Sequence, residues 1–334
     1  MLRGAAGLCL ALPCLCAAWC GCAASNAPPL LRVRAEAGLE AAGAIERWAL
    51  SDVGLVAAAV GRPVPTQPLE IVCGSAAEEG GELRLRAGEN ARHVRRGGDA
   101  CLILLAAAPD AALRTSLRHE LVHHVLEDQG YAEWLNEGLA EHVAYILAAS
   151  PSRDDVHQLF HAGLVLAGWG RPLQVRNRDG DSRALEPLLW LPDLPQTLRM
   201  NHAEYERLVL NSAADQDPEF HAASHLLTAA LFARGGTGAD AAYMRRLHAG
   251  ADPWQAYLDV TGCRDREQVL DALVAQLRVL IEDAPQAERA SREFVRSPCL
   301  WSKLPSEWGR LRAAQAYPGG PEIALRRSAA PSGL

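Results

Sequence analysis

Two histidines and a glutamate stand close together in the stretch RHELVHH, residues 118–124. If this stretch is helical, His119 and His123 lie one turn apart and present both imidazoles to the same point. Neutral imidazoles are good ligands for Zn²⁺. Glu120 adjoins the first histidine, where it could reach a water molecule held by the ion and act as general base. The stretch therefore predicts part of a catalytic zinc site.

A third ligand is needed to hold the ion, and the sequence WLNEGLAE that follows supplies carboxylates. A turn through Gly130 would let a second helix pack back on the first and bring Glu137 to the ion. Two histidines, one glutamate and a water molecule leave the open position that hydrolysis requires. Glu141, one turn later, could accept a hydrogen bond from the far nitrogen of His119, and Asn136 is a further candidate to support the ligands.

Simpler interpretations exist for each of these residues. Glu137 and Glu141 could lie on a solvated helix face, and the two motifs could match a metal site by chance. His124 projects about a third of a turn from His123, toward the apolar side of the helix, so we expect it to pack in the core. The residues expected to bury that side are Leu113, Leu117, Leu121 and Val125.

The composition is that of a folded chain with an acidic balance. The chain has 334 residues, of which 49% are hydrophobic and 22% charged, and its net charge is −7. No basic stripe of the kind that binds nucleic acid is present, so we expect no nucleic-acid partner. The basic cluster RHVRR at 92–96 runs into two glycines and is interpreted as a solvated turn.

The N-terminus has the layout of a secretory signal. Arg3 is followed by an apolar run and then by small residues. Cleavage after Ala24 would make residues 1–24 a signal peptide. Alternatively, the leader would end at Gly21 and Cys22 would become a lipidated first residue. Either route predicts an exported protein, located in the periplasm, in the outer envelope or outside the cell, with membrane attachment only through lipidation.

The cysteines outside the leader are Cys73, Cys101, Cys263 and Cys299. In an oxidising compartment they allow three disulfide pairings, of which Cys73 with Cys101 and Cys263 with Cys299 is the most local. The alternative is that they remain buried thiols. No CxxC spacing indicates a cysteine-based zinc site.

The order of predicted elements indicates an α+β fold. A small mixed α/β lobe at 28–150 contains the helices with the HExxH and NEGLAE motifs. A mainly helical lobe follows at 151–300, and 304–334 reads as an irregular tail. The helices predicted in the second lobe are His202–Asn211, Pro218–Arg234, Ala239–Ala249 and Arg264–Glu282, after a glycine- and proline-rich irregular stretch at 168–195.

HELVH followed by WLNEGLAE resembles the gluzincin metallopeptidases, and the short separation of the motifs resembles the smaller bacterial peptidase-MA-like proteins. Many of those are exported. The resemblance implies a zincin-like fold, one Zn²⁺ ion and a peptide or protein substrate. It also implies that Glu137 is the third ligand beside His119 and His123, that Glu120 is the base, and that Glu141 supports the ligands.

The sequence departs from this family at one position. The family often has a tyrosine at the start of a later helix, where it could stabilise an oxyanion, whereas this chain has Phe220-His221. His221 could donate the same hydrogen bond, which makes it the candidate second catalytic residue. Tyr131, Tyr205 and His225 are weaker candidates.

Taken together, these features predict zinc-dependent peptide-bond hydrolysis by an exported protein. The alternative is an envelope scaffold or binding lipoprotein that binds zinc but hydrolyses peptides weakly or not at all. Metal content and cleavage of mixed peptides, measured for wild type and Glu120→Gln, separate the two.

Overall fold

The structure is a computed structural model that describes residues 31–35, 39–73, 91–95, 101–105, 111–127, 130–148, 161–163, 165–166, 168–170, 173–176, 182–185, 192–210, 217–282 and 322–325. Most of these residues are helical, and the strands form two small sheets. The prediction of a helix-rich α+β fold is confirmed at this level. The leader lies outside the described residues. Within the described ranges, no helix combines the length and apolar character needed to cross a membrane.

A four-stranded sheet precedes the helix with the two histidines. Its strands are β1 (Leu31–Ala35), β2 (Leu69–Cys73), β3 (Ala91–Arg95) and β4 (Cys101–Leu105), in the spatial order β1-β2-β4-β3. Strands β1, β2 and β4 are parallel, and helix α1 (Leu39–Ala59) makes the crossover that parallel β1 and β2 require. Ile71 and Ile103 pair at the centre of the sheet and are fully buried.

Strand β3 contains most of the basic cluster that was interpreted as a turn, so that interpretation was wrong. It runs antiparallel to β4, with His93 opposite Ile103. Among the described strands of this sheet, β3 lies at the edge. Charged residues are common on edge strands because water solvates them there and they discourage pairing with another chain. Residues 92–94 are half-buried, so the expectation of a solvated segment was wrong as well.

Helix α2 (Ala111–Leu126) and helix α3 (Glu133–Leu147) carry the two motifs and pack against each other. Leu113, Leu117 and Leu121 recur once per turn and are buried, so this apolar stripe anchors α2 in the core. Gly130 has a φ of 59°, a left-handed conformation that glycine adopts without strain. The predicted turn through Gly130 is therefore confirmed.

The helices of the C-terminal half share the core with α3. They are α4 (Leu194–Arg199), α5 (His202–Tyr205), α6 (Asp217–Gly235), α7 (Ala239–His248), α8 (Pro253–Thr261) and α9 (Arg266–Glu282). Helix α5 continues as one π-helical turn, Glu206–Leu210. Helix α8 was not predicted, although Asp252 caps it by accepting hydrogen bonds from the backbone N–H groups of Trp254 and Gln255.

Gly138, in the NEG sequence of α3, allows α6 to approach closely. A Cβ atom at this position would lie 2.1 Å from Thr228 Oγ1 and 2.3 Å from the carbonyl oxygen of Ser224. No side chain fits in that space without moving one helix away from the other. The glycine therefore sets the distance between α3 and α6, and α6 is the helix that carries His221.

The predicted lobes are joined by one continuous apolar core that includes buried residues from α1 to α9. At its centre the fully buried ring of Trp134 on α3 contacts Tyr243 on α7 and Tyr257 on α8, edge to face, with centroids 5.3 and 5.7 Å away. Edge-to-face pairs of this kind are favourable beyond their burial. The core fixes α3 against the C-terminal helices.

A second sheet consists of β5 (Leu173–Arg176), β6 (Ser182–Leu185) and β7 (Glu322–Leu325), in the order β6-β5-β7 with antiparallel pairs. These strands lie in the segments that were expected to be an irregular stretch and an irregular tail. Each strand has four residues. Strands this short have weak local patterns, and β7 pairs with β5 across a long separation in sequence.

The strand register excludes the most local disulfide. Cys73 pairs with Leu105 across β2 and β4, whereas Cys101 pairs with Leu69 at the opposite end of the same two strands. The two Cα atoms of a disulfide lie within about 7 Å of each other, and four strand residues span about 13 Å. The Cys73–Cys101 prediction is therefore wrong. Cys263 is a buried thiol without a disulfide, and Cys299 lies outside the described residues.

Candidate metal centre

Helix α2 brings the two histidines of the HExxH motif together. His119 and His123 point from successive turns, and their Nε2 atoms lie 3.1 Å apart. The rings meet edge to face, with centroids 4.8 Å apart. The contact is a hydrogen bond if one of the two Nε2 atoms carries its ring proton. If both Nε2 atoms are unprotonated, they are instead placed to bind one metal ion together.

Helix α3 adds a carboxylate to this pair. Glu137 Oε2 lies 3.4 Å from His119 Nε2 and 3.4 Å from His123 Nε2. The three atoms form a compact triangle that could hold a metal ion. We call His119, His123 and Glu137 the first triad.

One buried atom of the first triad supports its fit to a cation. Glu137 Oε2 is shielded from water and has no hydrogen-bond partner in the described part of the chain. Buried polar atoms are nearly always satisfied in folded proteins, so an orphaned carboxylate oxygen calls for a partner. A cation between the three ligand atoms would be that partner for Glu137.

Glu141 lies behind the first triad, one turn after Glu137. Its Oε1 is 3.3 Å from His119 Nδ1 and 2.8 Å from His221 Nδ1. A carboxylate in this position accepts the N–H of the far imidazole nitrogen and leaves the near nitrogen free to bind a metal ion. Glu141 thus orients His119 so that Nε2 faces the centre of the triad.

His221, on α6, has carboxylates near both of its ring nitrogens. Besides Glu141 at Nδ1, its Nε2 lies 3.4 Å from Asp217 Oδ1 and 3.7 Å from Glu137 Oε2. The ring stacks on His119 with centroids 5.6 Å apart. His221 therefore joins the centre, but in this structure it contacts the ligands and their supports.

Electrostatics in the cluster favour positive charge. Burial by itself lowers the pKa of His119, but the carboxylates of Glu141 and Glu137 outweigh burial and raise that pKa to about 10. Burial likewise opposes protonation of His221, while Asp217 and Glu137 raise its pKa well above the usual value. An environment that attracts protons so strongly also attracts a metal cation.

The carboxylates respond in the opposite direction. Burial alone would raise the pKa of Glu137, but His123 and His221 hold it well below the usual value. The pKa of Glu141 is also lowered, because His119 and His221 overcome the effect of burial. Both groups are therefore anionic, the form in which carboxylates bind metal ions and accept hydrogen bonds.

Glu120 differs from the other carboxylates of the centre. It is buried, and burial raises its pKa, an effect that His119 and His123 offset only in part. The backbone N–H of His93 donates a hydrogen bond to its carboxylate. The carboxylate of Glu120 therefore extends from α2 to the edge strand β3, next to the two histidines. Its raised pKa favours uptake of a proton.

The remaining sequence candidates lie outside the first triad. Tyr131 donates to Asp240 at 3.2 Å and also pairs with Arg62. His225 packs against His142 and Tyr145.

The two other sequence candidates are Asn136 and Tyr205. Asn136 belongs to the first turn of α3 and directly precedes Glu137. Tyr205 is closer to the centre, but its hydroxyl donates to Asp217 Oδ1 at 2.7 Å.

Two residues near the centre were missed in the sequence. Asp217 precedes His221 by one helical turn, and that spacing could have indicated the pair. His93 was assigned to a turn, yet its ring centroid lies 6.4 Å from that of His123 and 6.0 Å from that of His124. No sequence pattern links β3 to α2, so only the fold reveals this proximity.

No family model matches the chain, and no curated protein matches it at a significant level. The function of the centre therefore has to be inferred from its residues and geometry.

Proposed function

We propose that the chain is a zincin-like metallopeptidase of the gluzincin type, with one zinc ion in the first triad. The separations of the ligand atoms carry this proposal. They are 3.1, 3.4 and 3.4 Å. Ligand atoms about 2.0–2.2 Å from a tetrahedral ion are separated by about 3.3–3.6 Å. The triangle matches one face of such a tetrahedron.

The chemistry of the ligands supports a catalytic rather than a structural ion. Structural zinc sites have four protein ligands, mostly cysteine, whereas His₂Glu sites keep the fourth position for water or substrate. Two imidazoles with one carboxylate suit Zn²⁺ among the divalent ions. When bound, a zinc ion supplies a Lewis acid that polarises the scissile carbonyl and lowers the pKa of a water molecule.

The protein's own groups supply the proton transfer and the orientation. The carboxylate of Glu120 would take a proton from the attacking water and deliver it to the leaving amine nitrogen. Glu141 holds His119 in the required orientation, and His221 holds Glu141. His119 is thus supported by Glu141 from α3, and Glu141 in turn by His221 from α6.

Strand β3 supports a peptide as substrate. Among the described strands of its sheet it lies at the edge, and an edge strand can pair with an extended peptide through backbone hydrogen bonds. The backbone N–H of His93 on this strand reaches Glu120. A peptide aligned along β3 would therefore pass close to the base.

A zinc-binding protein without peptidase activity is the second candidate, and a specific observation favours it. His221, the predicted oxyanion donor, has carboxylates near both ring nitrogens, and the hydroxyl of Tyr205 is bonded to Asp217. An oxyanion donor needs an N–H or O–H directed at the substrate. The N–H groups of His221 and the O–H group of Tyr205 are directed at these carboxylates. Either side chain would have to leave its carboxylate partner to donate to a substrate.

Export is part of the proposal. The segment that predicts it, including the cleavage site after Ala24 and the alternative lipidation site at Cys22, lies outside the described residues. The mass of the mature N-terminus after expression in a bacterial host distinguishes the routes. An uncleaved N-terminus would contradict both.

The peptidase proposal is tested with purified protein, zinc analysis and a mixed peptide library. Glu120→Gln should keep its zinc and lose about 10²–10⁴-fold in hydrolysis rate, the usual contribution of a general base. His123→Ala should lose both zinc and hydrolysis. The matched control is His142→Asn, because His142 packs on Phe232 and His225 away from the triad and should behave as wild type.

Two results would change the assignment. Hydrolysis by Glu120→Gln at the wild-type rate would remove Glu120 from the mechanism. Stoichiometric zinc in the wild type, lost in His123→Ala, without cleavage of any peptide would favour the binding protein over the peptidase.

A further inference from the structure

A second group of potential ligands lies one turn further along α2. His124 lies in the last turn of α2, Glu127 directly follows the helix, and His93 comes from the neighbouring strand β3. Each offers one nitrogen or oxygen, and these three atoms all lie within 4.8 Å of one another. We call His93, His124 and Glu127 the second triad.

His124 is the residue that points to a ligand. Its side chain is buried, with 3% of its surface exposed. Neither Nδ1 nor Nε2 has a hydrogen-bond partner in the described part of the chain, and the same holds for the buried Nε2 of His93. Buried ring nitrogens are rarely left without a hydrogen-bond partner. A cation bound by these two imidazoles and the neighbouring carboxylate would provide one.

The sequence order explains how one helix could serve two ions. His123 and His124 are consecutive, so their side chains differ in direction by about 100° around the helix axis. His123 turns toward Glu137 on α3, while His124 turns toward β3, where the His93 ring centroid is 6.0 Å away. Glu127 follows His124 by three residues, directly after the end of α2, and its carboxylate lies within 4.8 Å of the ligand nitrogens of His93 and His124.

We propose that His93, His124 and Glu127 form a second binding site for a divalent transition-metal ion of the zinc class. Two imidazoles and one carboxylate are suitable ligands for Zn²⁺ or Co²⁺. The ring nitrogens of His124 have no hydrogen-bond partner among the described residues, so no neighbour fixes the orientation of this ring before an ion binds. The second site is therefore weaker than the first.

An ion in this site would tie the edge strand to α2. His93 would bind the ion through its ring, while its backbone N–H donates to Glu120. If the proposed function holds, occupancy of the second site would influence the base and the strand along which a peptide would bind. The existence of the site does not depend on that function.

The test counts metal ions on the full mature chain. Equilibrium dialysis against increasing Zn²⁺, with Co²⁺ absorption spectra as a second readout, should show two ions on the wild type, one of them weaker. His124→Asn should bind one ion and keep the tight one. His123→Ala should lose the tight ion and keep the weak one, and the control His142→Asn should bind two.

His93→Ala and Glu127→Gln provide independent tests if His124→Asn does not fold, as judged by circular dichroism. His93→Ala keeps the backbone N–H that reaches Glu120, so it removes only the ring. Each of these variants should lose the weak ion. A wild type that binds one ion up to millimolar zinc, or folded variants of the second triad that still bind two, would overturn the proposal.

The two proposals fail in different ways. Two ions without hydrolysis would refute the peptidase and leave the second site intact. One ion with hydrolysis would refute the second site and leave the peptidase.

Discussion

The two triads share one helix but differ in how their ligands are supported. The ligand atoms of the first triad lie 3.1 to 3.4 Å apart, and Glu141 and His221 hold the ligands from behind. Those of the second triad lie within 4.8 Å of one another, and the ring nitrogens of His124 have no hydrogen-bond partner in the described residues. Both triads consist of two histidines and one glutamate.

This difference shows that donor type alone does not make a strong metal site. A supporting carboxylate fixes the tautomer and the orientation of an imidazole before the ion arrives, so little rearrangement is needed. The first triad has such a support at His119. The second triad would have to become ordered on binding, which lowers its affinity.

The largest effect is expected from Glu137→Gln. This substitution removes the only carboxylate ligand proposed for the first triad. Loss of a supporting residue typically lowers metal affinity by about 10–100-fold, and loss of a ligand should lower it further. The hydrolysis rate should fall to background. Competition with a chelator of known affinity measures the change, and weak binding at the second triad should persist. A variant that retains tight zinc would show that Glu137 is not a ligand.

Gly138→Ala should separate α3 from α6. The added methyl group would lie 2.1 Å from Thr228 Oγ1, and overpacking of this kind costs about 1–3 kcal/mol. Zinc affinity of the first triad should fall as His221 moves away from Glu141. Urea denaturation and zinc titration measure the two effects.

Gly54→Ala is the matched control for this substitution. Gly54 lies in α1 with no atom within 4 Å of an added Cβ, so alanine there should raise the free energy of unfolding by up to about 1 kcal/mol through helix propensity. Equal stability of the two variants would contradict the close packing of α3 on α6.

Glu141→Gln tests the support rather than the ligands. Its amide can still form hydrogen bonds but lacks the negative charge that raises the basicity of His119. We expect zinc affinity of the first triad to fall by about 10–100-fold and binding at the second triad to stay unchanged. An equal loss at both sites would indicate general unfolding instead, which circular dichroism would detect.

The smallest effect is expected from His124→Leu in the absence of metal. The substitution replaces two unsatisfied buried nitrogens with apolar atoms, so the free energy of unfolding should stay within about 1 kcal/mol of wild type or rise. With excess zinc, both proteins should gain stability from the ion of the first triad, and the wild type should gain more because it also binds an ion at the second triad. Thermal melts in chelator and in zinc measure both. A large loss of stability in chelator would show that His124 has a packing role that its contacts do not suggest.

The sequence by itself was sufficient for the local features of the first triad. A helix with His119 and His123 one turn apart must present both rings to one side, and the leucine stripe of α2 indicates which side is buried. Gly130 and the following helix indicated that Glu137 could return toward the histidines. These inferences follow from helical periodicity and turn chemistry, which depend on neighbouring residues only.

The tertiary structure decided what depends on distant residues. The distances of Glu137 from the histidines, the carboxylates around His221 and the approach of His93 to His124 all result from packing between separate elements. The same holds for the register that places Cys73 and Cys101 at opposite ends of their strands. Side-chain packing across the core has no local signature in the sequence. The residues that support the first triad, and the second triad as a whole, could therefore be identified only from the tertiary structure.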